Sequence, residues 1–167
     1  FSCYGATGQK PVCIYELIEE DNVRPGLPAE GDQVVIYNQA AKGVLSGVDG
    51  DTSDPTSCTV LASAATISGG KAVCSNGTLV FNVERSGDYY RFFNASFGYL
   101  SSTGGGNNTF YSFDTTDADW LVEEYNGGYR MGSRTAEFGG NMQYLQYFAD
   151  HFTTWGMYAV TDRDVFT

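Results

Sequence analysis

The sequence predicts an all-β domain in which three copies of one hairpin unit surround a pseudo-threefold axis. The first observation is a repeated phrase, in which a glycine turn leads into an apolar strand, a short polar turn and a second strand. Its copies occupy residues 31–46, 87–101 and 127–146, and the third is the loosest, with an expanded turn. The second observation is the composition, since 12 Tyr, 11 Phe and 21 Gly among 167 residues suit pleated strands and turns that need positive φ.

The spacing of the copies indicates how the units are arranged. Their turn glycines, Gly31, Gly87 and Gly127, recur at intervals of 56 and 40 residues, and repeats of about this length are typical of stacked or radially arranged β units. Three such units that close on one another form a β-trefoil, an arrangement that removes exposed strand edges. A two-sheet β-sandwich is the alternative fold.

The chain is predicted to be a single domain, residues 1–167, excised from a larger protein. A chain of 167 residues fills one core well and is too short for two comfortable domains. Residues 1–30 are expected to form an N-terminal segment and the first strand, and residues 31–160 the repeat core. The chain begins at Phe1 without an initiator Met or a signal peptide, so any signal or anchor is expected elsewhere in the longer protein.

Turn residues mark where the individual strands begin and end. Residues 47–59 are predicted to be loop because Gly, Asp, Thr, Ser and Pro cluster there, and residues 60–74 to form two short strands around Gly69-Gly70. No segment has a convincing helical period, but residues 142–152 leave room for one helical turn, and Glu19-Glu20-Asp21 are an alternative start of a short helix because carboxylates suit a helix N-terminus. Further strands are predicted where apolar runs flank turn residues, at 79–83, 89–93, 110–113, 119–123 and 129–131.

The charge of the chain limits its partners. The formal net charge is −11, with 9 Lys and Arg against 20 Asp and Glu. Phosphate binding draws its affinity from Lys and Arg, so neither nucleic acid nor an anionic membrane surface is an expected partner. No apolar run approaches the roughly 20 residues that a membrane-spanning helix needs, so no membrane insertion is expected.

Four cysteines point to an oxidising environment. Cys3, Cys13, Cys58 and Cys74 lack the close pairs or additional His residues of the usual zinc sites. Of the three possible pairings, Cys3–Cys13 together with Cys58–Cys74 closes the two most local loops. Two such disulfides predict a secreted or cell-surface protein, and four buried free thiols are the alternative.

The repeated phrases resemble the β-trefoil accessory modules of secreted multidomain proteins from gut Firmicutes. The first unit of those modules is similar to residues 31–38 and ends like residues 43–46, and the last unit is similar to residues 140–150, followed by a tryptophan such as Trp155. The chain is also distantly similar to ricin-type carbohydrate-binding modules, although their Gln-x-Trp signature is missing. The resemblance covers roughly residues 31–160. It implies a bacterial domain that accompanies phosphoesterase or glycoside hydrolase domains, and by analogy it implies glycan binding.

The densest group of candidate ligand-binding residues lies between residues 141 and 158. A sugar site needs a flat aromatic platform beside polar groups that bridge adjacent hydroxyls. Trp155 is the strongest candidate because its polar Thr-Thr-Trp-Gly segment predicts an exposed loop. The full set comprises Trp155 and Tyr147 as platform, with Asn141, Gln146, Asp150 and His151 as polar groups.

The structural alternative is that these aromatic residues fill the core. Side chains alternate along a strand, so about half of the aromatic residues must face inward. Tyr144 and Leu145 stand where their repeat mates do and are predicted to be core residues. Trp120 occupies the same place in its unit as Phe81 and is also predicted to be buried.

Two charged groups add weaker hypotheses. Asp49, Asp51 and Asp54 space carboxylates as calcium loops do, but the EF-hand glycine and glutamate are missing, so no cofactor is expected beyond an irregular calcium site. A solvated loop is the alternative. A second group is suited to bidentate binding of an acidic sugar or sulfate, with structural ion pairs as the alternative, and consists of Arg85, Arg91, Arg130 and Arg134.

The sequence favours a binding module over an enzyme. It contains no nucleophile elbow, no metal-ligand cluster, no phosphate-binding loop and only one His. The predicted function is a non-catalytic carbohydrate-binding module that targets an attached secreted enzyme to a mucin or plant polysaccharide glycan. The domain is expected to be monomeric within its multidomain chain. The alternative is a protein-interaction or structural surface module with no sugar ligand.

Overall fold

A computed structural model describes residues 13–14, 27–38, 42–50, 59–68, 71–74, 78–103, 109–125, 127–148 and 151–156. All regular secondary structure in these residues is β-strand, and they contain no helix. The predicted all-β class is therefore confirmed. No helix in the described ranges is long and apolar enough to cross a membrane.

The described part of the chain contains fourteen strands, and most of them are short. In chain order they are β1 (Cys13–Ile14), β2 (Gln33–Val34), β3 (Tyr37–Asn38), β4 (Gly43–Asp49), β5 (Thr59–Ser68), β6 (Lys71–Cys74), β7 (Phe81–Ser86), β8 (Tyr89–Asn94), β9 (Gly98–Ser102), β10 (Thr109–Ser112), β11 (Trp120–Tyr125), β12 (Gly128–Phe138), β13 (Asn141–Phe148) and β14 (His151–Gly156). The longest are β12, with 11 residues, and β5, with 10 residues.

Neighbouring strands pair antiparallel in two successive meanders. The first meander consists of β7, β8, β9 and β10, and the second of β11, β12, β13 and β14. The two meanders are joined where β8 pairs with β11, at Tyr90 and Trp120. In a similar way β2 pairs with β7, at Val34 and Phe81. The sheet returns to the first part of the chain where β14 pairs with β5.

Most of these strands contribute to one large apolar core, and a small second cluster contains Tyr37, Val44 and Ala65. The leucine in the second strand of each repeated phrase, Leu45, Leu100 or Leu145, is fully buried. Trp120 is also fully buried, as predicted, and its indole Nε1–H donates to the Leu100 carbonyl oxygen at 2.8 Å. Burying a large apolar side chain contributes about 1.5–3 kcal/mol, so these positions are major contributors to stability.

Tight turns with positive φ connect the strands of each hairpin. Gly87 (φ +63°) lies between β7 and β8, and Gly127 (φ +76°) lies between β11 and β12. Gly98 (φ +88°) begins β9, and a Cβ atom there would collide with the backbone of Ser112. Only glycine satisfies both the backbone conformation and the close approach at Gly98.

Some boundaries in the first and third units differ from the prediction. β4 continues through Asp49, so the predicted loop over residues 47–59 begins later than expected. The two strands predicted within residues 60–74 are confirmed as β5 and β6. The prediction of an expanded turn in the third copy is wrong. β12 and β13 are long strands joined by a tight turn at Gly139-Gly140, where φ is +61° and +78°.

The segment that contains Trp155 is strand β14 and not the loop that its polar residues predict. Thr153 and Thr154 suit a strand because Thr is β-branched, and both residues are buried. The hydroxyls of Thr154 and Ser102 form a hydrogen bond of 2.6 Å, so that each buried hydroxyl has a partner without contact with water. The helical turn predicted within residues 142–152 is not found among the described residues, since residues 142–148 belong to β13 and residues 151–152 to β14.

The predicted disulfides lie partly outside the described residues. Cys3 and Cys58 are not described, so the pairings Cys3–Cys13 and Cys58–Cys74 stay predictions. In the β1–β6 ladder the backbone of Cys13 stands opposite that of Cys74.

Candidate ligand-binding surface

The predicted sugar-binding residues do not all lie on one face of the sheet. Asn141 is exposed at the start of β13, where its side-chain amide donates to the Gly139 carbonyl oxygen at 3.3 Å. Tyr147 is half-buried and packs against the core, with its ring in a T-shaped contact with Phe152 at a centroid distance of 5.6 Å. Tyr147 therefore contributes to packing on the inner side of β13.

Gln146 and His151 lie on the outer side. Both side chains are half-buried. Because side chains alternate along a strand and pair across it, Gln146 and His151 share the face that carries Tyr144, whereas Tyr147 projects from the other face. The structure thus brings Gln146 and His151 together and separates them from Tyr147.

The structure describes the other two predicted site residues, Asp150 and Trp155, only in part. Asp150 lies outside the described residues. The backbone of Trp155 is opposite Tyr144 in the β13–β14 ladder, and its side chain is not described. Tyr144 itself is half-buried on the outer face, so its predicted core position is wrong, whereas Leu145 is buried as predicted.

A different part of the sheet, around β8, brings aromatic and charged side chains together. The core-facing residues Val83, Phe92 and Leu100 hold this region from behind. Outward-facing residues of β7, β8 and β9, together with the residue that follows β10, form what is called the β8 surface below: Glu84, Arg91, Phe93, Tyr99 and Phe113.

Three aromatic rings form one side of the β8 surface. Phe93 and Tyr99 pair across β8 and β9, and their ring centroids are 4.9 Å apart. Phe113 makes an edge contact with Phe93 at 6.4 Å and is 68% exposed. Phe113 therefore has an open aromatic face at the end of a row of rings, in contact with Phe93.

Hydrogen-bonding groups form the other side of the β8 surface. The Tyr99 hydroxyl donates to the Glu84 carboxylate, at 3.1 and 3.3 Å from its two oxygens. Burial, and then the hydrogen bond to Glu84, raise the pKa of Tyr99, so the phenol remains a proton donor at neutral pH. Glu84 is directly opposite Arg91 in the β7–β8 ladder, which places an acceptor beside a donor.

The carboxylate of Asp119 fixes the orientation of Arg91. Arg91 Nε donates to Asp119 Oδ1 at 2.6 Å, and Arg134 Nη1 donates to Oδ2 at 2.9 Å. Asp119 is only 6% exposed, and a buried carboxylate is costly without such partners. Within the described part of the chain, the Nη groups of Arg91 have no hydrogen-bond acceptor. Arg91 is thus held in place with donors that a ligand can use.

Sequence reasoning missed the β8 surface because its residues come from separate segments that only the fold assembles. Arg91 belongs to the group considered for acidic ligands, and ion pairs, the structural alternative, are found for Arg91, Arg130 and Arg134. The available signal was the alternation along β8, where Tyr89, Arg91 and Phe93 project outward between core residues. That pattern identifies an outward face but does not identify Phe113 as its neighbour.

The predicted calcium site is only partly described. Asp49 is exposed at the end of β4, and Asp51 and Asp54 lie outside the described ranges. Among the residues that the structure describes, no three His, Cys, Asp or Glu side chains are grouped closely enough to hold a metal ion.

Comparisons with known proteins identify no relative of this chain. No family model matches the sequence, and no curated protein or solved structure matches it. The function is therefore argued from the β8 surface and from the repeated units.

Proposed function

We propose that the domain is a non-catalytic glycan-binding module and that the β8 surface is a ligand site. The observation that carries this proposal is the exposed ring of Phe113, which contacts Phe93 on the same outer face as the oriented polar groups of Glu84 and Arg91. Sugars combine apolar C–H faces with a rim of hydroxyls, and an aromatic ring next to donors and acceptors complements both.

The polar groups of the β8 surface suit two adjacent sugar hydroxyls. Glu84 accepts a hydrogen bond from one hydroxyl, and Arg91 donates to its neighbour. Tyr99 already holds Glu84, and Asp119 already holds Arg91. Because these side chains are ordered before the ligand arrives, less conformational entropy is lost on binding.

We also propose that the strands form the β-trefoil that the repeated phrase predicts. A recurring register supports this fold: Val34 of β2 pairs with Phe81, and Tyr90 of β8 pairs with Trp120, at the same place in successive units. Phe81 and Trp120 are both fully buried. The three buried leucines of the repeated phrases form a second equivalent set, Leu45, Leu100 and Leu145.

The proposed setting is a secreted or cell-surface multidomain protein whose attached enzyme acts on mucin or plant polysaccharide. A single sugar site with a Kd of about 1 mM corresponds to a binding free energy of about −4 kcal/mol. Such weak binding is sufficient because tethering raises the local concentration of the enzyme at the glycan. The net charge of −11 suits a domain that avoids nonspecific binding to polyanions.

Phe113→Ala is the first test of the site. The 167-residue chain is applied to a glycan array, and at least one glycan is expected to bind. Loss of the aromatic face is expected to lower the affinity at least about tenfold, equivalent to about 1.4 kcal/mol. The melting temperature is expected to stay within a few degrees, since the ring is exposed.

Phe138→Ala is the matched control for this test. Phe138 is 54% exposed at the end of β12 and lies outside the β8 surface. Equal losses in the two variants would contradict the proposed site. If the folded wild-type chain binds no glycan in the presence of calcium, the protein-interaction alternative is favoured instead.

A further inference from the structure

We propose that the domain has a second glycan site, formed by Glu123, Arg130 and Tyr144 and called the β12 surface, so that one molecule binds two sugars. This inference rests on the proposed function, because it extends the same chemistry to another place on the sheet. It is carried by a set of side chains that recurs at equivalent positions of two hairpins.

The first two members of the set are equivalent by strand register. Glu84 stands opposite Arg91 in the β7–β8 ladder, and Glu123 stands opposite Arg130 in the β11–β12 ladder. In both hairpins the next inward-facing pair along the ladder is buried in the core. The two Glu–Arg pairs therefore project outward from the same place in their hairpins.

The third member is a tyrosine on the following strand. Two residues beyond each arginine, Phe93 pairs with Tyr99, and Gly132 pairs with Tyr144. Each tyrosine is thus the diagonal neighbour of its arginine on the outer face. A carboxylate, a guanidinium and an aromatic ring consequently occupy three successive strands in both surfaces.

The contacts of the β12 surface leave its polar groups within reach of a ligand. Arg130 Nε donates to Glu123 Oε2 at 2.9 Å, and the guanidinium carbon lies 5.0 Å from the ring centroid of Tyr125 and 4.8 Å from that of Tyr144. These cation–π contacts restrict the arginine. Its side chain and that of Glu123 are nevertheless 29% and 38% exposed.

The fold does not require the recurring set. In the first unit the register places Val35 at the arginine position and Val44 at the tyrosine position. These valines form a small apolar cluster with Tyr37 and Ala65. A surface Glu–Arg pair contributes only about 0.2–1 kcal/mol to a sheet. In the first unit this face is covered, and Val44 is fully buried. The polar set therefore occurs in the two units whose outer face a ligand can reach, which gives two ligand sites in one molecule.

The ligand class follows from the groups that recur. A carboxylate acceptor beside a guanidinium donor suits a pyranose with two vicinal hydroxyls, and an aromatic ring suits its C–H face. Both surfaces are expected to bind the same kind of sugar, with Phe113 as the aromatic face of the β8 surface and Tyr144 as that of the β12 surface. The backbone of Trp155, the platform predicted from the sequence, is opposite that of Tyr144 in the β13–β14 ladder.

Isosteric variants test whether one molecule has two glycan sites. Glu84→Gln and Glu123→Gln each remove one carboxylate charge from one surface without changing the size of the side chain. Wild type, both single variants and the double variant are applied to a glycan array printed at high and at low density. A molecule with two sites engages two glycans on the dense array, which raises its apparent affinity by about 10²–10⁴. Glu137→Gln, at an exposed position of β12 outside both surfaces, controls for the lost charge.

Wild type and Glu137→Gln are expected to bind the dense array at least tenfold more strongly than the sparse one. Each single variant is expected to retain sparse binding and lose this density dependence, and the double variant to lose binding altogether. If wild type and Glu123→Gln bind equally and without density dependence while Glu84→Gln loses all binding, the second site is overturned and the proposed function stands. A folded wild type that binds no glycan at either density overturns both.

Discussion

At the scale of single residues, Trp120 and Phe113 are aromatic residues with opposite exposure, one in the core and the other in the proposed ligand site. Both are aromatic residues in polar, Asp-containing stretches, but Trp120 is fully buried and Phe113 is mostly exposed. The position of Trp120 repeats that of Phe81, and this equivalence predicts its burial correctly. The exposure of Phe113 depends on where β10 ends relative to Phe93, and no local pattern in the sequence records that.

The pH dependence of Tyr99 is a residue-scale prediction. Burial and the hydrogen bond to Glu84 raise the pKa of Tyr99 above its ordinary value of about 10. Because the folded-state pKa is raised, the neutral phenol stabilises the fold below the unfolded pKa, and this contribution is lost as the pH rises through the folded pKa. A spectrophotometric titration that compares wild type with Tyr99→Phe is expected to show one phenol that ionises above pH 10.

Glu84→Gln provides the control for this titration. Without the carboxylate charge, the pKa of Tyr99 is expected to fall toward its ordinary value, because the phenolate is no longer opposed by Glu84. An unchanged Tyr99 titration in Glu84→Gln would show that the two groups do not interact as described.

At the scale of strands and turns, the local sequence predicts an element correctly when that element is stabilised by interactions within the same segment. The turns at Gly87 and Gly127 are predicted because positive φ favours glycine within a tight hairpin. β14 is missed because its burial depends on a partner distant in sequence, the Ser102 hydroxyl that binds Thr154. A polar Thr-Thr pair resembles a loop until that partner is known.

The turn at Gly98 gives the element-scale prediction. Gly98→Ala is expected to cost at least about 2 kcal/mol more than Gly87→Ala, because its Cβ would overlap the Ser112 backbone, whereas the space at Gly87 is open. Gly87→Ala is expected to cost about 1 kcal/mol from its positive φ alone. Urea unfolding of both variants measures the difference, and equal costs would contradict the close approach of β9 to the chain after β10.

At the scale of the whole molecule, repetition is the basis of both the proposed fold and the proposed number of ligand sites. The fold class and the repeated units are predictable from the sequence because the apolar phrase recurs, and core positions such as Leu45, Leu100 and Leu145 are buried alike. The proposed ligand surfaces are not predictable in this way, because they depend on outward residues that differ between units. The first unit has Val35 at the arginine position and Val44 at the tyrosine position, whereas the second and third units have charged residues and tyrosines on this face.

The most direct test of the account is a residue-by-residue map of where a sugar binds. The ¹⁵N-labelled chain is titrated with the glycan that gives the strongest array signal, and amide shifts are followed by NMR. The account predicts shifts concentrated on β7, β8 and β9 and on β11, β12 and β13, with β4 and the part of β5 paired with it unchanged. Shifts concentrated on β4 and β5, or distributed without relation to the β8 and β12 surfaces, would contradict it.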